Sequence, residues 1–175
     1  MATITAASFI GEILIPNVSG TGYAEIANLA SLNVFIDKYE PLFLKELLGD
    51  DLYTAYAAGI AVTPTPEAKW TALKNKIFVN IGTSPAIVYL SPEANYIYFF
   101  FQRNQATVTL TNSEVQTKQE NATVISPAQK MIDAWNSMAN DTELIRDWIN
   151  DNITDYPEYL TSDKGNLSHI NIYGL

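Results

Sequence analysis

A mainly α fold, a helical bundle with a projecting β-hairpin and extended N- and C-terminal arms, is what this sequence predicts, on three observations. Four segments open with one helix-start signal, Ser/Thr-Pro, at Thr65, Ser84, Ser91 and Ser126. Several stretches carry apolar residues three and four apart, the spacing of one helical face. By contrast, Thr107-Val108-Thr109-Leu110-Thr111 alternates with period two and is rich in β-branched residues, as a strand is. The expected organisation is an arm over residues 1–22, a helical domain over 23–155 with the hairpin at about 107–124, and a second arm over 156–175.

The first arm rests on an extended apolar run, Phe9 to Pro16, followed by the turn-prone Asn17-Val18-Ser19-Gly20-Thr21-Gly22. From Tyr23 the pattern turns helical through Ile26, Leu29, Leu32, Phe35, Ile36 and Tyr39. Pro41 lacks an N–H and clashes with the preceding turn, so it should end a helix near Tyr39 or begin the next. Leu42, Phe43, Leu44, Leu47 and Leu48 complete an apolar face that Gly49 stops as a C′ residue. Asp50 caps a short helix over 51–58, closed by Gly59. Thr63-Pro64-Thr65-Pro66 is a rigid connector, and the helix after it puts Trp70, Leu73 and Ile77 or Phe78 on one face. Asn80-Ile81-Gly82-Thr83 breaks that helix, and Ser84-Pro85-Ala86 opens the next segment.

Residues 91–139 read as helix, hairpin, helix. Ser91-Pro92-Glu93 combines a capping hydroxyl, a proline at N1 and an acid that the helix dipole favours. From Ala94 to Phe101 the apolar side chains of Tyr96 to Phe101 leave no polar stripe, which on a helix means contacts on several sides and a place at the centre of the core. Asn112-Ser113 is the expected turn between the period-two run and a more polar partner over 114–123. Ser126-Pro127-Ala128-Gln129 is a capping box. Beyond it Met131, Ile132, Trp135, Met138, Ile145, Trp148 and Ile149 share a face, with Asn140-Asp141-Thr142 either inside one helix or capping a second. The last stretch pairs a Ser162–Asn166 turn with an extended apolar end, Ile170, Ile172, Tyr173 and Leu175.

At 175 residues and 47% hydrophobic content, one domain with its own core is the default. A net charge of -9 without any Lys or Arg run repels phosphate, which argues against direct DNA binding as a function class. Acids crowd the last third, from Asp133 to Asp163, either as a solvated face or as a surface for a basic partner or a DNA passage. Without cysteine there is no disulfide, thiol nucleophile or Cys-based metal site. The opening MATITAASFIGEILIP lacks the cationic start of a signal peptide, so synthesis in the cytosol is expected. The apolar window over 85–101 is too short and too broken to span a bilayer, so no membrane segment is expected.

No catalytic, cofactor-binding or metal residue is nominated, and no cofactor is implied. His169 is the single histidine, and Ser168 beside it cannot approach as triad partners do, from separate elements. Gly20-Thr21-Gly22 lacks the third glycine and the lysine of phosphate cradles. Asp147, Asp151 and Asp155 stand four apart and would form a row on a helix, which makes a metal-dependent hydrolase on Asp147 and Asp151 one alternative. A monomeric binding module of a tail or envelope is another. Trp135 and Trp148 share the register of Met138 and Ile145, which is that of core positions rather than of a stacking platform.

Two stretches carry a resemblance. Phe35-Ile36-Asp37-Lys38-Tyr39-Glu40-Pro41 through Leu47-Leu48-Gly49-Asp50-Asp51-Leu52-Tyr53 is one. The other is Ser91-Pro92-Glu93-Ala94-Asn95-Tyr96 to Gln102-Arg103-Asn104, then Glu120-Asn121-Ala122-Thr123 and Lys130-Met131 to Ala134-Trp135-Asn136. Both are similar to small proteins encoded beside the structural genes of tailed phages and prophages of Bacteroidota, which look like head-to-tail connectors, or adaptors. Glu46 departs from that pattern, where Pro or a neutral residue is expected before Leu47-Leu48-Gly49. The resemblance implies a structural, non-enzymatic virion protein at the neck. It would form a homo-oligomeric ring, commonly a dodecamer, beneath the portal, touch portal and tail or neck proteins, and let DNA pass without specific binding. In such rings a hairpin or loop and the terminal arms reach neighbours. That implies contact surfaces at Thr107, Val108, Thr109, Leu110, Glu114, Val115 and Thr123, and at Ile170, Ile172, Tyr173 and Leu175.

Overall fold

The computed structural model describes residues 4–81, 88–105, 108–110, 113–115 and 128–170. Six α-helices dominate them: α1 (Tyr23–Leu48), α2 (Asp50–Ile60), α3 (Ala68–Ile77), α4 (Pro92–Gln105), α5 (Ala128–Asp151) and the single turn α6 (Glu158–Thr161). Two antiparallel pairs of three-residue strands complete them: β1 (Val79–Ile81) with β2 (Val88–Leu90), and β3 (Val108–Leu110) with β4 (Ser113–Val115). None of the described helices is long and apolar enough to cross a membrane.

Helix α4 is the centre of the bundle, packed between α1 and α5. Tyr96, Ile97, Tyr98 and Phe101 are buried and Phe99 and Phe100 half-buried, as a segment without a polar stripe requires. Its aromatics interlock with both neighbours: Phe100 stacks on Tyr39 at 4.4 Å, Phe101 meets Phe35 edge-on at 5.4 Å, and Phe99 packs on Trp135 at 4.8 Å. Trp135 and Trp148 are half-buried against this core.

Several expectations are corrected. Pro41 lies inside α1, which runs unbroken because one missing N–H is outweighed by the burial of Ile36, Phe43, Leu44, Leu47 and Leu48 around it. Of the two readings open for Asn140-Asp141-Thr142, the structure has the one in which they lie inside a single continuous helix, where the buried Thr142 hydroxyl turns back to the Met138 sulfur at 3.5 Å. Gly49 does stop α1, at a φ of 78°. Gly59, however, sits within α2, where it leaves room for the Trp70 indole, and any Cβ there would collide with that ring. Where the sequence showed only a helix break, Val79–Ile81 forms a strand, and the Ser84-Pro85-Ala86 start lies outside the described residues.

In their described residues, 4–22 and 156–170, the two arms lie against the body rather than extend from it. Residues 4–22 fold as two 3-10 turns, Ala6–Ser8 and Gly11–Ile13, and bury Ile4, Phe9, Ile13, Ile15 and Val18 in the common core. An apolar run of that length is costly in water, and here the bundle offers it a surface to cover. Residues 156–170 are stitched down by polar bonds. The Tyr156 hydroxyl donates to Lys69 O at 2.7 Å, Ser162 Oγ accepts from Leu52 N at 3.2 Å, and Gly165 N donates to Glu46 O at 3.0 Å. Arg146 Nη2 donates to both Glu46 O and Gly165 O at 2.8 Å. Glu46 is thus no surface bystander. Its carbonyl takes two donors and its carboxylate accepts from the Tyr96 hydroxyl at 3.2 Å.

The expected projecting hairpin over 107–124 reduces, in the described backbone, to the β3–β4 ladder of three pairs. Ser113 pairs with Leu110 and so belongs to a strand rather than to the turn.

Candidate functional site

A groove of about 760 Å³ is bounded by the Gly11–Ile13 turn, the end of α3, the β1–β2 pair, the start of α4 and one face of α5. The α5 face follows from spacing: Ala134, Ser137, Asp141 and Leu144 stand three and four apart and so share a row. Ile10 and Ile13 come from the 3-10 turn, which Gly11 enters with a φ of 62°. The floor is apolar, and three of its side chains stay open to solvent: Ile10 at 38%, Val79 at 55% and Leu144 at 61%. Lys76 and Lys130 lie among Glu12, Asp133 and Asp141 around this floor. Partial burial raises the Asp141 pKa above its ordinary value, while Asp133 accepts the Gln129 amide at 2.8 Å.

A second feature lies one residue away and faces elsewhere. Pro92 and Ala94 line the groove but Glu93 between them does not; its side chain is fully buried and neither carboxylate oxygen has a hydrogen-bond partner. Ser91 caps α4 by accepting the Glu93 amide at 3.1 Å, which fixes the helix start and so commits the side chain inward. Burial first, and then the Glu40 carboxylate, raises the Glu93 pKa well above the usual range, so the neutral acid is favoured. The Tyr56 hydroxyl nearby is buried without a partner, and its pKa is raised by burial and then by Glu93 and Glu40. With no exposed edge, this carboxyl has no access to a substrate. The sequence read Glu93 only as an acid favoured by the helix dipole, and the apolar run beginning beside it at Ala94 is the signal that places it inside.

The contact residues implied by the resemblance separate into three groups. Val108, Thr109 and Leu110 lie in β3, opposite Val115, Glu114 and Ser113 of β4, which brings Val108 to Val115 and Thr109 to Glu114. Ile170 is half-buried and held by Asn136, whose amide accepts from Ile170 N at 3.0 Å and donates to Ile170 O at 3.2 Å. Thr107, Thr123, Ile172, Tyr173 and Leu175 lie outside the described residues.

The carboxylate row does not form: α5 ends at Asp151, and Asp155 follows in a turn after the exposed Asp147 and Asp151. Among the described residues no group of three or more acids or histidines is placed to hold a metal ion. His169 Nε2 meets Asn140 Oδ1 at 2.8 Å.

A further surface was missed by sequence reasoning. Tyr23, Ile26 and Val34 are 96%, 53% and 64% exposed, and with Ala27 and Ala30 they form one outward stripe on α1. Of these, the sequence reading placed only Ile26 in the helical apolar pattern, alongside Leu29 and Leu32, and did not single out Val34. No family model matches this chain, and no curated protein or solved structure compared with it is significantly similar.

Proposed function

We propose that this chain is a head-to-tail connector subunit of a tailed phage or prophage, a structural virion protein without catalytic function. Its copies form a ring beneath the portal, twelve by analogy, that joins capsid to tail at the neck and surrounds the DNA passage. The resemblance of the two quoted stretches supports this reading, as do a mainly helical body and a net charge of -9 that keeps passing DNA from sticking. The β3–β4 segment, as a hairpin projecting from the body, and the tail beyond Ile170 are its contacts with portal and tail or neck proteins.

The observation that carries the proposal is the α1 stripe together with the open groove. A ring closed by rotation uses heterologous contacts, so each subunit needs two different patches, and these two are separate and apolar. Burying side chains such as Tyr23, Ile26 and Val34 is worth about 1.5–3 kcal/mol each, enough for a few to drive association. Light scattering on the purified chain, alone and with the portal of the same genome, tests it. A ring-sized mass, or co-migration with portal that is lost in a Tyr23→Ser/Val34→Ser variant, is the expected result. A concentration-independent monomer that ignores the portal would replace it with the binding-module reading, for which a groove of this size, inside the usual ligand-pocket range of roughly 300–1,000 Å³, is the observation in favour.

A further inference from the structure

The groove has the length of a helix. Its α5 wall runs from Lys130 to Ile145, about 22 Å at 1.5 Å per residue. The outward stripe of α1 starts at Tyr23, passes through Ala30 and Val34, and reaches the exposed Asp37 after about 21 Å by the same rise. Tyr23 is 96% exposed, so it lies in no groove of its own chain. An apolar helix face laid into an apolar groove is a recurring mode of recognition.

Charge sets the direction. Gly22 gives α1 no side-chain cap, so its first N–H groups and the positive end of its dipole are open, while the far end of the stripe carries Asp37. Along α5 the groove has Lys130 at one end and the half-buried Asp141 near the other. Among the described residues Asp37, Lys130 and Asp141 enter no ion pair. Antiparallel to α5, Asp37 meets Lys130 and the start of α1 meets Asp141; parallel, both ends meet like charge. Lys38 beside Asp37 then comes within about a turn of Asp133, and the opposite wall brings one charge of each sign, Lys76 and Glu12. With Asp37 at Lys130, Ala30 falls opposite Ser137, two small side chains where the helices come closest. Tyr23 falls opposite Leu144, which is 61% exposed.

We propose that the groove of one copy takes the first half of α1 of a neighbouring copy, antiparallel to α5, with Tyr23 on Leu144 and Asp37 at Lys130. Each copy then gives its stripe to one neighbour and its groove to another, a heterologous contact. This inference rests on the reading of stripe and groove as the two contact patches, and adds that they fit each other and in which direction.

The absence of native cysteine makes the test direct. Tyr23→Cys chains mixed with Leu144→Cys chains and mildly oxidised are expected to give a disulfide-linked dimer about tenfold faster than Tyr23→Cys mixed with Leu160→Cys, whose site is 72% exposed and outside the groove. Adding Asp37→Lys to the first chain is expected to slow the link by about fivefold, and Lys130→Asp in the second to restore it. Equal rates in the two mixtures would overturn the proposal, as would linkage of Tyr23→Cys chains to one another instead. Faster linkage of Val34→Cys than of Tyr23→Cys to Leu144→Cys would overturn it by reversing the direction. A ring-sized mass in light scattering together with equal rates would remove this contact and leave the ring standing, whereas a monomer that ignores the portal would remove both.

Discussion

The two halves of α1 are made of similar residues and meet opposite fates. From Ile36 to Leu48 the apolar side chains Ile36, Phe43, Leu44, Leu47 and Leu48 are all buried, and the outward positions include Asp37, Lys38 and Lys45, with Leu42 the exposed apolar one. From Tyr23 to Val34 only Leu32 is buried and Leu29 half-buried, while Tyr23, Ile26 and Val34 face out. The second half has α4 and the Arg146 staple against it; the first half leaves one apolar side uncovered. An apolar helix face is therefore a demand for a partner, and among the described residues that demand is met in one half only.

Breaking the anchored half should cost most. Leu47→Ala removes a side chain with no exposed surface, so about 3–4 kcal/mol of stability should be lost, read as a lower midpoint in urea.

The next test sharpens the contrast through charge, because Glu40 of the anchored half faces the buried Glu93. A carboxyl whose folded pKa is raised contributes stability that is fully present below its unfolded pKa, about 4.3, and is lost as pH rises through the folded value. Glu93→Gln keeps the shape and removes the titration. Its melting temperature should therefore exceed that of the parent at pH 8, with the gap closing as pH falls toward 4. Equal melting temperatures at pH 8 would show that Glu93 does not hold its proton.

The smallest effect on stability belongs to the open half. Tyr23→Ser with Val34→Ser should shift the urea midpoint by about 0.5 kcal/mol or less, as exposed substitutions do, while weakening self-association in sedimentation. A large stability loss here would mean that the stripe is covered within the subunit.

How much of this was legible follows the range of the signals. Helix starts and stops written in adjacent residues, such as Ser91-Pro92 and Gly49, read correctly, because caps act within one turn. The burial of α4 read correctly because its six successive apolar side chains leave only one arrangement. What failed depended on distant partners. Phe9 to Pro16 looks extended whether it reaches a neighbour or folds onto its own core, and only the bundle surface decides. Pro41 looked like a boundary because propensity is local, while the packing that overrides it comes from α4. The groove draws on the 3-10 turn, α3, α4 and α5 at once, and no short window contains it.

The bond from Leu52 N to Ser162 Oγ joins residues 110 apart in the chain. It supplies the hydroxyl that the start of α2 lacks locally, since Gly49 has no side chain to give. On a ribosome adding about 5–20 residues per second, roughly 6–20 s pass between the emergence of that helix start and of its partner. The corner between α1 and α2 is thus completed late in synthesis, and chains released before Ser162 leave it open to proteolysis.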